Sequence, residues 1–99
     1  MTPLIKTVLE FALDGDTVQN LIREELPKLG IQSRDAMTVI RQLARDGSIS
    51  LYLFDQNSGA SYEIDPDGLS EEVLSDNPYV FLGKTEKTLS FFSQASKAS

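Results

Sequence analysis

Asp16 to Phe54, DTVQNLIREELPKLGIQSRDAMTVIRQLARDGSISLYLF, is the stretch whose reading decides the fold. Val18, Leu21, Ile22, Leu26 and Leu29 fall along one side of a helix. Pro27, late in that run, biases Leu26 away from helical geometry. The helix is expected to end near Leu26 or to kink there, leaving Gly30 free to take a positive φ. Asp16 suits its N-cap, and Gln19 three residues on completes a capping-box pattern. Ser33 suits the N-cap of the next helix, where Asp35 in the first turn complements the helix dipole. Ala36, Met37, Ile40, Leu43 and Ala44 make that helix's inward face, and Gly47 fits the C′ position that closes it. From Ser48 to Phe54 the period changes to two. Ile49, Leu51 and Leu53 lie on one side, with Ser50, Tyr52 and Phe54 on the other.

Working outward, Thr2 and Pro3 suit the cap and first turn of a preceding helix. Leu4, Ile5, Val8, Leu9 and Ala12 give it an apolar stripe that Phe11 widens, and Asp14-Gly15-Asp16 ends it. Downstream of the strand, Gln56 to Gly59 reads as a turn and Ala60 to Ile64 as a short return strand. Asp65-Pro66-Asp67-Gly68 is loop chemistry. Leu69 to Asp76 reads as a short helix broken by Asn77-Pro78, and Tyr79 to Leu82 as a further strand candidate. Leu89, Phe92 and Ala95 or Ser96 suit a last helix, although Leu89-Ser90-Phe91 also alternates like a strand; the helix is the preferred reading. The terminal residues SQASKAS are expected to fray.

Ninety-nine residues allow one domain with a single modest core. The domain is taken as 1–99, with its core in 4–64, an acidic region over 55–83 and a C-terminal segment over 84–99. There is no cysteine, which removes disulfides, thiolate metal sites and a thiol nucleophile. There is no histidine, which removes the commonest metal ligand and general base. The chain is therefore expected to be no enzyme and to carry no cofactor or metal. No apolar run reaches the ~18 residues that read as a membrane span. The opening MTPLIKTVLEFALDG lacks the basic start and small-residue cleavage site of a signal peptide, so a cytoplasmic chain is expected. The net charge of −6 is unevenly placed: residues 1–54 carry −1, residues 55–83 carry −7 with no basic side chain, and residues 84–99 carry +2. Overall acidity opposes indiscriminate attraction to nucleic acid but leaves room for a local basic face.

The order helix, Gly-containing turn, helix, Gly stop, alternating strand resembles a winged helix-turn-helix. Gly30-Ile31-Gln32-Ser33 followed by Val39 to Ile49 is similar to that family's turn and recognition helix. Leu43, Gly47 and Ile49 match its L-x-x-x-G-x-I ending. Thr85-Glu86-Lys87 resembles the entry to the closing helix of many winged-helix regulators. The resemblance covers residues 4–64 well and the remainder loosely. It implies an α+β winged-helix fold of three helices, a small antiparallel wing and a C-terminal helix. It also implies double-stranded DNA as partner, read by the third helix in the major groove, and a homodimer for which the apolar first helix and Phe91-Phe92 are the candidate surfaces. A minority of such proteins use the fold only for protein contacts.

The residues themselves bear on that choice. Arg34, Thr38, Arg41 and Arg45 lie at i, i+4, i+7 and i+11, one stripe opposite the buried face, with Gln42 beside it. Arg reads guanine or grips phosphate, Gln reads adenine, and Thr meets a phosphate or a thymine methyl. Lys28 and Ser33 are placed near phosphates. The bland alternative is a solvated helix face, since Arg is a good helix former. The wing counts against DNA: Asp55 to Gly59 and the residues after it hold no base before Lys84, and phosphates repel acids at close range. The second hypothesis is accordingly a protein-interaction module docking a basic partner through the acidic region 55–76. Glu63-x-Asp65-x-Asp67-Gly68 resembles the front of a calcium loop, but Leu74 stands where the bidentate Glu belongs. Gly83-Lys84-Thr85 lacks the Gly that a phosphate-binding loop needs at position 78. Both are read as chance.

Overall fold

The computed structural model describes residues 2–77 and 79–98, and the side chains of 94–98 lie outside that description. The expected breaker Pro78 therefore falls outside it, as do the side chains of the inward positions Ala95 and Ser96 and of most of the terminal segment. The chain forms α1 (Pro3–Asp14), an irregular second helix, α3 (Ser33–Arg45), β1 (Ile49–Asp55), β2 (Ala60–Glu63), a 3₁₀ turn (Pro66–Gly68), α4 (Glu71–Asp76), β3 (Val80–Lys84) and α5 (Glu86–Ala98). The second helix, α2, is composite: an α-turn (Val18–Asn20), a π-turn (Leu21–Glu25) and a 3₁₀ turn (Leu26–Leu29). The three strands make an antiparallel sheet in the order β2-β1-β3. The class is thus α+β, with five helices, a separate 3₁₀ turn and a small sheet among the described residues. No helix among the described residues is long and apolar enough to cross a membrane.

Thr2 caps α1 as expected, accepting from the Ile5 N–H at 3.2 Å, and Pro3 occupies the first turn, where no donor is needed. The second helix starts one residue later than its sequence suggests. Thr17, rather than Asp16, is the N-cap, its hydroxyl accepting from the Asn20 N–H at 3.1 Å. The sheet imposes the delay: the Leu82 N–H donates to the Asp16 carbonyl at 2.8 Å and Thr17 bridges Phe81, so the backbone at 16–17 is extended against β3. The expected disturbance at Pro27 is present but begins earlier. Regular α-geometry ends at Asn20, and the helix widens before tightening into a 3₁₀ turn whose second residue is Pro27, where a missing N–H costs nothing. Ser33 is not the N-cap of α3. Gln32 holds that position without a side-chain bond, because the Ser33 hydroxyl donates to Glu71 Oε1 at 2.9 Å.

At the far end of α3, Gly47 takes φ 81°, and the bonds Ser48 N–H to Leu43 O (2.9 Å) and Gly47 N–H to Ala44 O (3.3 Å) close the helix as a Schellman motif. The carbonyls just beyond are held by α5. Thr85 Oγ1 donates to Gly47 O at 2.7 Å, Thr88 Oγ1 to Ser48 O, and Lys87 Nζ to Asp46 O at 3.1 Å. Thr88 is fully buried. The C-terminal segment is thus a helix whose first turn clamps the α3–β1 turn, and this fixes where α3 points.

The core is one cluster: Val8, Leu9 and Ala12 of α1, Val18, Leu21 and Leu26 of the second helix, Ala36, Met37, Ile40 and Leu43 of α3, and Ile49, Leu51, Val80 and Leu82 of the sheet, with Leu69 from the connection between β2 and β3. The apolar side of α1 is therefore spent inside its own chain. Phe91 and Phe92 are half-buried against the same cluster, and Leu89 remains 46% exposed. On the other side of the sheet, Ser50 faces Gly83 across the β1–β3 ladder. A Cβ at position 83 would lie 2.5 Å from both Ser50 Oγ and the Tyr52 ring, so a larger residue there would have to displace one of those side chains.

Candidate nucleic-acid interface

The connection from β2 to β3, residues 64–77, is the feature that sets the character of α3. Its helices are locally encoded. Asp65 accepts from the Asp67 N–H at 2.8 Å to start the 3₁₀ turn, and Ser70 accepts from the Val73 N–H at 3.2 Å to cap α4. What the connection packs on is tertiary. Leu69 is completely buried in the core, and Ile64, Val73 and Leu74 are half-buried around it. Anchored this way, the connection forms an arm that follows one ridge of α3, the line Ser33, Met37, Arg41, Arg45 at intervals of four residues.

Each site residue named from the sequence has a definite place. Arg41 is half-buried, and its guanidinium donates to the Leu69 carbonyl at 3.0 Å. Arg45 pairs with Asp67, its Nε donating to Oδ1 at 2.9 Å and its terminal nitrogen to the same oxygen. Ser33 is held by Glu71. Lys28 pairs with Glu25 three residues back, at 3.3 Å. Thr38 is exposed, its hydroxyl turned back to the Arg34 carbonyl at 3.1 Å. The side chains of Arg34 and Gln42 are exposed and make no hydrogen bond or ion pair among the described residues. The stripe expected to act as one surface is therefore divided. Arg41 and Arg45 are tied to the arm, Arg41 half-buried and Arg45 still exposed, while Arg34, Thr38 and Gln42 stand open beside it.

The cover is incomplete. A cleft of about 260 Å³ separates α3 from the start of α4, lined by Arg34, Met37, Arg41, Ser70, Glu71 and Glu72. Two guanidinium-bearing residues and two carboxylates thus line one small space. A second groove, of about 570 Å³, separates α4 from the second helix, with Ile22, Arg23, Ile31 and Leu74 among its walls. The arm's carboxylates engage α3 through side chains that are themselves largely exposed: 51% for Arg45 and 69% for Asp67. An ion pair so wet is worth only about 0–1 kcal/mol. Full burial of a leucine is worth about 1.5–3 kcal/mol. Leu69 holds the arm; the charges orient it.

At the C-terminal end of α3, Asp46 titrates below the usual aspartate range. Burial pushes its carboxyl up, but the Ser48 backbone and hydroxyl bonds and the neighbouring Lys87 ammonium together outweigh that. The carboxylates that resembled a calcium loop are otherwise engaged, Asp65 in its own turn and Asp67 with Arg45. No group of three potential ligand side chains gathers among the described residues. Comparison with protein-family models, curated proteins and solved structures found no match.

Sequence reasoning missed Asp67, Leu69 and Glu71 as part of this site. The only signal available was the sign of the charge: an acidic block in a chain that carries a basic stripe elsewhere.

Proposed function

We propose that the chain is a small winged-helix protein that binds double-stranded DNA through α3 and acts as a regulator rather than an enzyme. The observation that carries this reading is the outward face of α3. Arg34, Thr38 and Gln42 stand open there over nine residues, and an α-helix, about 10–12 Å across with its side chains, fits the major groove, which is about 12 Å wide. In such a mechanism, phosphate contacts set the register while the helix reads base edges. A two-fold dimer would match half-sites one helical turn apart. The turn before α3, the strand after it and the clamp from α5 supply the rigid mounting such a helix needs.

The test is fluorescence anisotropy of a labelled random-sequence duplex at low and near-physiological salt, with Arg34→Glu as the control. Arg34 is preferred to Arg41, whose substitution would also disturb the arm. Salt-sensitive binding that Arg34→Glu abolishes is expected; absence of binding at low salt, where phosphate contacts are strongest, would overturn the reading.

The second reading is an interaction module that takes a basic protein partner through the acidic region 55–76. It is favoured by one observation, the uninterrupted acidity of 55–83 on an arm anchored over the basic helix. It predicts that charge reversal at Glu72 and Asp76 abolishes partner binding, while Arg34→Glu leaves it intact.

A further inference from the structure

We infer that residues 65–76 form an autoinhibitory arm, a built-in polyanion that competes with DNA phosphates for the cations of α3. The inference rests on the DNA reading above and adds to it a regulated state. Three observations carry it. First, the arm meets α3 with the chemistry a phosphate backbone would use: the Asp67 carboxylate accepts from the Arg45 guanidinium, and the Leu69 carbonyl accepts from Arg41. Charge-assisted bonds of this kind are how Arg recognises both carboxylate and phosphate. Second, the contact runs along one ridge, with Ser33 bound to Glu71 at the helix start and Arg45 bound to Asp67 near its end, so it covers the length of the helix rather than a point. Third, the cover is loose, leaving the cleft of about 260 Å³ where Glu71 and Glu72 face Arg34 and Arg41. The carboxylates that line this open space weaken the pull of Arg34 and Arg41 on a phosphate.

The device works by competition. With the arm seated, a duplex approaching α3 meets Arg34, Thr38 and Gln42 but finds Arg45 paired with Asp67, Arg41 bonded to the Leu69 carbonyl, and the Glu71 and Glu72 carboxylates on the same cleft. Removing the arm's charges frees the Arg45 guanidinium for a phosphate and takes the Glu71 carboxylate out of the cleft beside Arg34 and Arg41, while Leu69 stays seated. Each additional phosphate contact steepens the salt dependence of log K by about 0.9. One added contact therefore raises the affinity lost between 50 and 200 mM salt by about three- to fourfold.

The experiment measures anisotropy of a labelled random-sequence 20-base-pair duplex from 50 to 200 mM salt. It compares the wild-type chain, the arm variant Asp67→Asn/Glu71→Gln and the charge-matched control Glu10→Gln/Asp14→Asn on α1, with circular dichroism melts to show that all are folded. The arm variant is expected to bind more tightly than the control at 50 mM, with the steeper salt slope, and to lose the gain when Arg45→Glu is added. Equal affinity and slope in the arm variant and the control would overturn the autoinhibitory arm, because net charge alone would then explain any gain. Binding by the wild type as tight as by the arm variant would overturn it too while leaving the DNA reading in place. No binding by any of the three at 50 mM would overturn the DNA reading itself.

Discussion

Replacing Leu69 by alanine tests how the arm is held. Leu69 is 0% exposed and joins the core from a connection whose remaining apolar side chains, Ile64, Val73 and Leu74, are only half-buried. Removing a fully buried leucine side chain costs about 2–5 kcal/mol, the upper end applying where the surroundings cannot collapse into the space. The neighbouring clefts give the arm freedom to settle, so the lower half of that range is expected, about 3 kcal/mol. With a urea m-value of about 1.5 kcal/mol/M for a chain of this size, the unfolding midpoint falls by about 2 M. A second readout separates two ways of losing that energy. If the arm lifts away while the rest of the fold persists, the native state already exposes surface and m falls with the midpoint. If the arm stays seated over a cavity, m is unchanged. Asp67→Ala in parallel should move the midpoint very little, because its ion pair with Arg45 is largely solvated. A Leu69→Ala midpoint within experimental error of wild type, or an Asp67→Ala loss as large as that of Leu69→Ala, would refute the claim that burial rather than charge fastens the arm.

Two further outcomes follow from the packing and electrostatics near α3. Gly83→Ala should destabilise by about 1–3 kcal/mol, the usual range for overpacking, because the new Cβ meets Ser50 Oγ and the Tyr52 ring at 2.5 Å; a urea midpoint equal to wild type would show that those side chains give way without cost. Asp46 has a folded pKa below its unfolded value of about 3.9, so its contribution to stability is present above that value and is lost as pH falls through the lowered one. Asp46→Asn should therefore flatten part of the acid limb of the stability–pH curve below about pH 4, and an unchanged limb would contradict the assignment.

The sequence carried the order of elements because local chemistry writes it. Helical spacing marked α1 and α3, period two marked β1, and Gly47 marked the stop between them. The composite second helix was half legible. Pro27 announced a disturbance, but the widening begins at Leu21, six residues earlier, where no residue in the sequence marks it. The N-cap shift from Asp16 to Thr17 was not legible, since it comes from a bond to Leu82 on a strand far along the chain. The same limit governed the candidate site. Periodicity reports that Arg34, Thr38, Arg41 and Arg45 point away from the core, yet says nothing of what lies over them. Arg41 and Arg45 find their partners 28 and 22 residues away, in an arm whose only apolar anchor of full depth is one leucine. In sequence Leu69 reads as the first residue of a short helix, and only the fold makes it a fastening.

The most direct measurement of the central claim, that α3 is the surface that meets DNA, is a set of amide ¹H–¹⁵N spectra during titration with a short duplex at low salt. The account predicts shifts concentrated on 33–45, strongest around Arg34, Thr38 and Gln42, with smaller changes at Asp67 to Glu72 as the arm is displaced. Shifts confined to other elements, or none at all while the duplex is in excess, would contradict it.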